Sequence, residues 1–455
     1  MQFDVSAVEF MLPYIAASLD ANIRQTTLIL NSYLFSLVCF LIPFGYIADI
    51  WSRKKIFLLG LFLFGLFSLF ISLSSTPWMV IAMRIFQGMA AAMVSAVGPS
   101  YIVESFEHHE RGKAFSFIAT AIALGYLLGP NMGAFLVKAV GWPLIFLINV
   151  PSMALLLVIC VKYLPNTKAE NEAVTNNDID TVGMISLMIL VFSVLMIFVY
   201  SNELSLANSM IAIFIVVTAG YFVYLGNKKK RYPALDLYLI FGNKPFFYAN
   251  TVSLFSFIGA YVIAYIMPFY VVNTVLGLDL LGFGVLLTMF PLGFVIGAPI
   301  GGLFIRWFGS LRALALAQTI IVLSVLLILT LGEHSGLAQI GLISALVGVG
   351  RGVFIAPFNT FVMGTLPVYQ LATGASMISF LQSAGMMLGV ALTGALLYNI
   401  TGGMDLTAIN GNAQNTAVFM NAFSFIIGFS LLFAFISMMF SVLLLRVGSR
   451  QAALG

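Results

Sequence analysis

The sequence predicts an all-α membrane fold of many spans, and three observations carry that reading: composition, the spacing of apolar runs, and the side on which basic residues fall. Of 455 residues, 61% are hydrophobic and 8% charged, against about 25% charged in soluble domains. A chain this apolar cannot clothe a water-exposed globule, so lipid is its solvent. The two cysteines, Cys39 and Cys160, sit inside apolar runs, where they act as small hydrophobes and not as disulfide partners or thiolate ligands. The net charge of +4 comes from basic residues scattered through short loops, which argues against a nucleic-acid surface.

A spanning helix needs about 20 mostly apolar residues. Fourteen stretches qualify as spans: 3–19, 27–48, 56–75, 79–103, 114–137, 142–163, 182–201, 207–226, 247–271, 283–305, 311–331, 338–364, 372–398 and 417–445. With the N-terminus inside, sixteen of the 20 Lys and Arg residues fall on the inner side; Arg24 and Lys138 fall outside, and Arg84 and Arg351 lie within spans. Cytoplasmic loops carry such an excess, so both termini are expected in the cytoplasm of a bacterial cell, with the chain in the inner membrane.

An internal repeat divides the chain. Gly45-Tyr46-Ile47-Ala48-Asp49-Ile50-Trp51-Ser52-Arg53-Lys54-Lys55 follows the second span, and Gly302 to Arg312 follows the tenth at an offset of 257. Repeats of this kind mark transporters built from two related halves. The expected organisation is a six-helix bundle over 1–164, a polar cytoplasmic linker over 165–181, an inserted helix pair over 182–231 and a second six-helix bundle over 232–455.

Three further patterns stand on named residues. Arg84, Gln87 and Gly88 lie in the fourth span, where an arginine costs about 2.5–3.5 kcal/mol on insertion scales and so faces a cavity or a partner. Gly125, Gly129 and Gly133 recur every four residues beside Pro130, a stripe along which a neighbouring helix can come close. Trp142, Phe146, Asn149 and Pro151 open the sixth span, Asp180 and Gly183 the seventh, and Pro233, Leu235, Asp236 and Leu237 lead to the ninth. Together with Gly45–Lys55, these resemble signatures of the major facilitator superfamily, and within it of the drug:proton antiporters with fourteen spanning helices. The resemblance runs over nearly the whole length. It implies that Gly45 permits close helix approach and that Asp49, with Arg53 and Lys54, latches the inner face through basic groups and a helix N-terminus. It also implies that Arg84 takes part in proton coupling and that the Gly125–Gly133 stripe is the kinked exporter helix. Ser52 departs from the usual glycine, and Arg306 stands where the second copy would carry the acid, so the latch is expected on one side only.

The first span, Phe3 to Pro13, resembles a family segment with an acid, a hydroxyl residue, an asparagine and then Leu-Pro; Asp4 and Ser6 match, and Glu9 replaces the asparagine. Interior carboxyls are proton-relay candidates because burial disfavours their charged form, so Glu9 and Asp4 join Arg84 as proton-coupling residues. The segment is short for a full crossing. Either roughly 10–15 residues precede it in the native protein, or Asp4 lies at the inner interface.

Tyr33, Tyr261, Tyr265, Arg351 and Gln382 are the candidate cavity residues. Arg351 lies in Gly348-Val349-Gly350-Arg351-Gly352, and Asp279, Glu333 and Asp405 all fall in outer loops. Three partners for it stay open: carbonyls loosened by the glycines, a carboxyl from Glu9 or Asp4, or an anionic substrate group. His108, His109 and His334 fall in loops, and no phosphate-binding loop, metal-ligand spacing or catalytic triad stands out. The expected function is therefore secondary active transport without a cofactor, driven by the proton gradient and exporting drugs or other small organic compounds. A same-fold exporter of a siderophore, metabolite or organic anion is the alternative, and a membrane-embedded receptor or enzyme is the competitor from another class. Expected partners are the lipid bilayer and a small-molecule substrate, with a periplasmic adaptor as a further candidate and a monomer otherwise.

Overall fold

A computed structural model describes the chain apart from residues 1, 22, 108, 166–179, 200–205, 231–232, 275–279, 334, 368–369, 402–412 and 453–455, and apart from certain helical side chains, those of Glu9, Arg24 and Pro130 among them. Every regular element among the described residues is helical. In order they are α1 (Gln2–Ser18), α2 (Ile23–Ile50), α3 (Arg53–Ser72), α4 (Pro77–Ser105), α5 (Arg111–Ala139), α6 (Pro143–Leu147), α7 (Asn149–Tyr163), α8 (Thr181–Val199) and α9 (Leu206–Lys229). There follow α10 (Leu237–Gly242), α11 (Lys244–Thr274), α12 (Leu280–Phe308), α13 (Ser310–Ile328), α14 (Leu337–Gly364), α15 (Leu371–Thr401) and α16 (Ala413–Ala452).

Eleven helical stretches among the described residues are long and apolar enough to cross a membrane. The first, seventh and eighth spans read from the sequence correspond to α1, α8 and α9, which are helices but fall outside that set; α8 contributes the shorter apolar stretch Thr181–Val194. The sixth span is broken into α6 and α7 at Ile148. Pro151 has no N–H to offer the carbonyl four residues back, at Leu147, so the ladder is interrupted there.

Two compact units result. The first takes Met1–Ser105, Leu128–Asn243 and Leu366–Phe380; the second takes Phe106–Leu127, Lys244–Thr365 and Leu381–Gly455. The early part of α5 thus belongs with the second unit, and the early part of α15 with the first. Within the first unit α4 packs on α2 and α3, and α8 on α9; within the second α14 packs on α12 and α13, and α16 on α11 and α13. The repeat offset of 257 carries Ile23 to Leu280 and Arg53 to Ser310, the first residues of α12 and α13.

Glycine sets the closest seams. On α12, a Cβ added at Gly297 or Gly301 would meet the carbonyl oxygen of Val349 or Val353, and one at Gly293 that of Ala345. From the other side, Gly348 and Gly352 of α14 face the Phe290 and Phe294 carbonyls. Backbone therefore lies on backbone along this pair, with no room for a side chain. Gly297→Leu should abolish the monodisperse peak of the purified protein in size-exclusion chromatography, whereas Gly394→Ala, which opens onto free space, should leave it intact. A normal peak for Gly297→Leu would show that the seam is slack.

Candidate functional site

The first unit buries a polar cluster where α1, α2, α3, α4 and α6–α7 meet. The side chains of Asp4 and Arg84 are both 0% exposed and form an ion pair of 2.9 Å from Nη1 to Oδ2. Arg84 Nη1 also donates to Gln87 Oε1 at 2.7 Å, and Nε to the Ile29 carbonyl at 3.4 Å. Asn149 Nδ2 donates to the other oxygen of Asp4 at 2.7 Å. Gln87 Nε2 reaches Ser68 Oγ at 2.8 Å, and Ser68 donates to the Phe64 carbonyl at 2.7 Å. The rings of Tyr33 and Phe146 lie 4.7 and 5.4 Å from the guanidinium carbon. Arg84 Nη2 is buried and has no hydrogen-bond partner among the described residues.

Local sequence explains this convergence. Arg84 and Gln87 are three apart and share a helix face. The interruption before Pro151 starts α7 at Asn149, whose amide meets Asp4. Gly129 and Gly133 supply the remaining closeness: a Cβ at Gly129 would strike Ser6, and one at Gly133 would touch Ala7 at 3.4 Å. The lower half of the glycine stripe is thus the bed on which α1 lies. Gly125 falls in the portion of α5 assigned to the second unit, and the side chains of Pro130 and Glu9 lie outside the described residues.

A second cluster surrounds Asp49, at the end of α2. Arg53 donates to Asp49 Oδ1 through Nε at 2.9 Å and Nη2 at 2.7 Å, and pairs with Glu104 through Nη1. Asp49 also caps α15: its Oδ1 accepts from Ala372 N at 3.1 Å, and its Oδ2 from Thr373 N and Oγ1, each at 2.7 Å. A carboxylate suits the partial positive charge of a helix N-terminus. Gly45, one turn earlier, admits α15, because a Cβ there would overlap Ser376 and lie 2.8 Å from the Ala372 carbonyl. Lys54 serves another end, donating to the carbonyls of Val161 and Leu164 at 3.1 and 2.7 Å where α7 finishes. Ser52 caps α3 by accepting from Lys55 N at 3.4 Å. In the second unit Gly302 makes the corresponding close approach, to Ser116 of α5, and Ser116 donates to the Ala298 carbonyl at 3.0 Å. Arg306 is exposed there and pairs with no carboxylate among the described residues.

The other candidate residues lie in the second unit, Tyr33 apart. Arg351 Nη1 donates to Ser256 Oγ at 2.9 Å, and its guanidinium carbon sits 3.5 Å from the centre of the Phe257 ring. Tyr261 meets Tyr126 with 3.4 Å between the hydroxyl oxygens, and Tyr265 lies against Phe269 with ring centres 5.6 Å apart. The Nε2 of Gln382 is buried without a hydrogen-bond partner among the described residues.

Asn149, Phe146, Ser68 and Glu104 carry parts of these clusters that sequence reasoning did not assign. The Trp-x-x-x-Phe-x-x-Asn-x-Pro pattern was the available signal for the first two. Asp180, read as a structural marker, accepts from Gly183 N at 2.8 Å and Ala234 N at 3.3 Å, while its own N–H donates to the Tyr46 hydroxyl at 2.9 Å. It ties the start of α8 to α2 and to the segment before α10.

Two compact helical units, with eleven stretches among the described residues long and apolar enough to cross a membrane, fit a multi-pass membrane protein. Residues 1–390 match the family model of the Major Facilitator Superfamily, and the chain belongs to that family. It is a transporter and not an enzyme. Riboflavin transporter RibZ of Clostridioides difficile is 24% identical over 393 residues, covering 85% of this chain and 83% of that protein. Multidrug resistance protein 3 of Bacillus subtilis is 26% identical over 395 residues, covering 84% of this chain and 76% of that one. Among solved structures, the human organic anion transporter MFSD10 aligns with a TM-score of 0.65 at 16% identity, covering 96% of each chain; this likeness is one of fold.

Proposed function

We propose that the chain is a proton-coupled exporter of drugs or similar small organic compounds, with fourteen spans, both termini in the cytoplasm and a place in the inner membrane of a bacterium. The observation that carries the reading is the fully buried Asp4–Arg84 pair, braced by Asn149 and Gln87. Protonating Asp4 would remove the counter-charge of Arg84 and force the cluster to rearrange, which is how a proton can bias one conformation over another. Asp49, Gly45 and Arg53 act in this scheme as the inner-face latch, and Lys54 steadies α7 beside it. The organisation into two six-helix bundles with an inserted pair belongs to the same proposal. Export is supported by the similarity to Multidrug resistance protein 3; the similarity to RibZ favours a metabolite as the alternative cargo.

Everted membrane vesicles from a host lacking its own exporters test the reading. An imposed pH gradient should drive uptake of compounds selected by a susceptibility panel, and dissipating the gradient should stop it. Transport that persists without the gradient would refute proton coupling. For topology, cysteines introduced near Arg24, Glu203 and Asp405 should react from outside intact cells, and those near Lys54, Lys229 and Arg450 should not. Labelling of the Lys229 loop from outside would overturn the fourteen-span arrangement.

A further inference from the structure

Arg351 carries a charge that its surroundings do not answer. It is 5% exposed, makes one hydrogen bond, to the neutral hydroxyl of Ser256, and forms no ion pair among the described residues. Its Nη2 is buried without a hydrogen-bond partner among the described residues. Phe257 and Phe354 offer ring faces, with centroids 3.5 and 5.4 Å from the guanidinium carbon, and these offset only part of the lost hydration. Arg84 makes the contrast: equally buried, it holds Asp4 and Gln87. A guanidinium does not shed its proton to escape.

The groups around Arg351 share one bias. Gly385 and Gly389 of α15 lie against Phe257 and Tyr261 of α11, and Gln382, three residues before Gly385, shares their face. Its buried Nε2 is a second donor without an acceptor among the described residues. Tyr261 lies one turn beyond Phe257 on α11, and its hydroxyl oxygen is 3.4 Å from that of Tyr126. Donors gather here, and among the described residues no carboxylate pairs with Arg351. A built site with surplus donors and an uncompensated cation is complementary to a ligand that brings acceptors and negative charge.

We propose that Arg351, Gln382 and the Tyr126–Tyr261 pair form a subsite for the carboxylate of an organic anion, so that the cargo includes anionic compounds. This rests on the transport reading above. Arg351 is closed off in this conformation, and the anion enters when α11 or α15 moves away from α14.

Fluorescein, a xanthene carboxylate, and rhodamine 123, a cationic xanthene ester, are matched probes. Binding to the purified full chain is read by fluorescence polarisation in wild type, Arg351→Gln, Arg351→Lys and Gln382→Leu. Arg351→Gln should weaken fluorescein at least tenfold, with smaller losses in Arg351→Lys and Gln382→Leu, while rhodamine 123 binding is unchanged or tighter. Equal fluorescein affinity in wild type and Arg351→Gln would overturn the subsite, as would the absence of saturable fluorescein binding to wild type. Parallel loss of both dyes in Arg351→Gln and Arg351→Lys would make the arginine structural and overturn it too. Gradient-driven flux of rhodamine 123 into everted vesicles separates the two readings. Flux without Arg351-dependent fluorescein binding sinks the subsite alone, and fluorescein binding that needs Arg351 without gradient-driven flux of either dye sinks the transport reading alone.

Discussion

Asp4→Ala should lower the thermal stability of the purified protein sharply, because removing one partner of a buried ion pair leaves the other charge uncompensated at about 3–5 kcal/mol. The double variant Asp4→Leu/Arg84→Met should recover most of that loss, since replacing both charges by apolar groups is often neutral. Neither should transport under a pH gradient. Asp4→Asn is the sharper functional test: it keeps an oxygen facing Arg84 and an amide-sized group beside Asn149, and it removes the carboxyl that the proposed coupling uses. It should bind substrate and fail at gradient-driven uptake. Full gradient-driven uptake by Asp4→Asn would remove Asp4 from the mechanism, and Glu9→Gln is the parallel substitution for the other carboxyl of this helix. If the double variant were no more stable than Asp4→Ala, the pair would not be the source of the cost.

Asp49→Ala and Gly45→Val should both loosen the start of α15, by different physical routes. Asp49→Ala removes a helix N-cap worth about 0.5–2 kcal/mol, roughly two- to thirtyfold in the opening equilibrium, and it also strips Arg53 of a partner. Gly45→Val leaves every hydrogen-bonding group in place and puts atoms where Ser376 and the Ala372 carbonyl already are. A cysteine replacing Ser376 reports both, since alkylation should be slow in an otherwise wild-type background and accelerate in either variant. Transport should fall in step. Unaltered alkylation in Gly45→Val would mean that the two helices do not depend on that contact.

Much of this was legible in the sequence for a simple reason: hydropathy, loop glycines and basic residues report directly on what lies in lipid and what lies beside it. The spans read at 283–305 and 311–331 overlap α12 (Leu280–Phe308) and α13 (Ser310–Ile328), because the glycine and basic residues of the repeated loop mark where one helix ends and the next begins. Asp49 and Arg53 were readable because they are one turn apart. What escaped were pairings set by chain folding over long distances. Nothing near Asn149 announces Asp4, 145 positions away, and Lys54 looked like a member of the Asp49 cluster until α7 was seen to end above it. The glycines flanking Arg351 suggested exposed carbonyls; Gly348 and Gly352 instead face α12, and Gly350 faces Ile321 of α13. One sequence cannot distinguish a glycine that frees backbone from one that admits a neighbour.

The glycine seam between α12 and α14 bears on how the chain assembles. Helices already formed in the bilayer have settled their backbone entropy, so what remains to be lost on pairing is chiefly rotamer freedom. Along Gly293, Gly297, Gly301, Gly348 and Gly352 there are no rotamers to freeze. This pairing should therefore be among the earliest long-range events in the second unit's maturation, a template on which α11, α13 and α16 later settle. Ribosome-stalled chains released from the translocon just after Gly364 should already resist proteolysis across α12 and α14, before α16 has been synthesised.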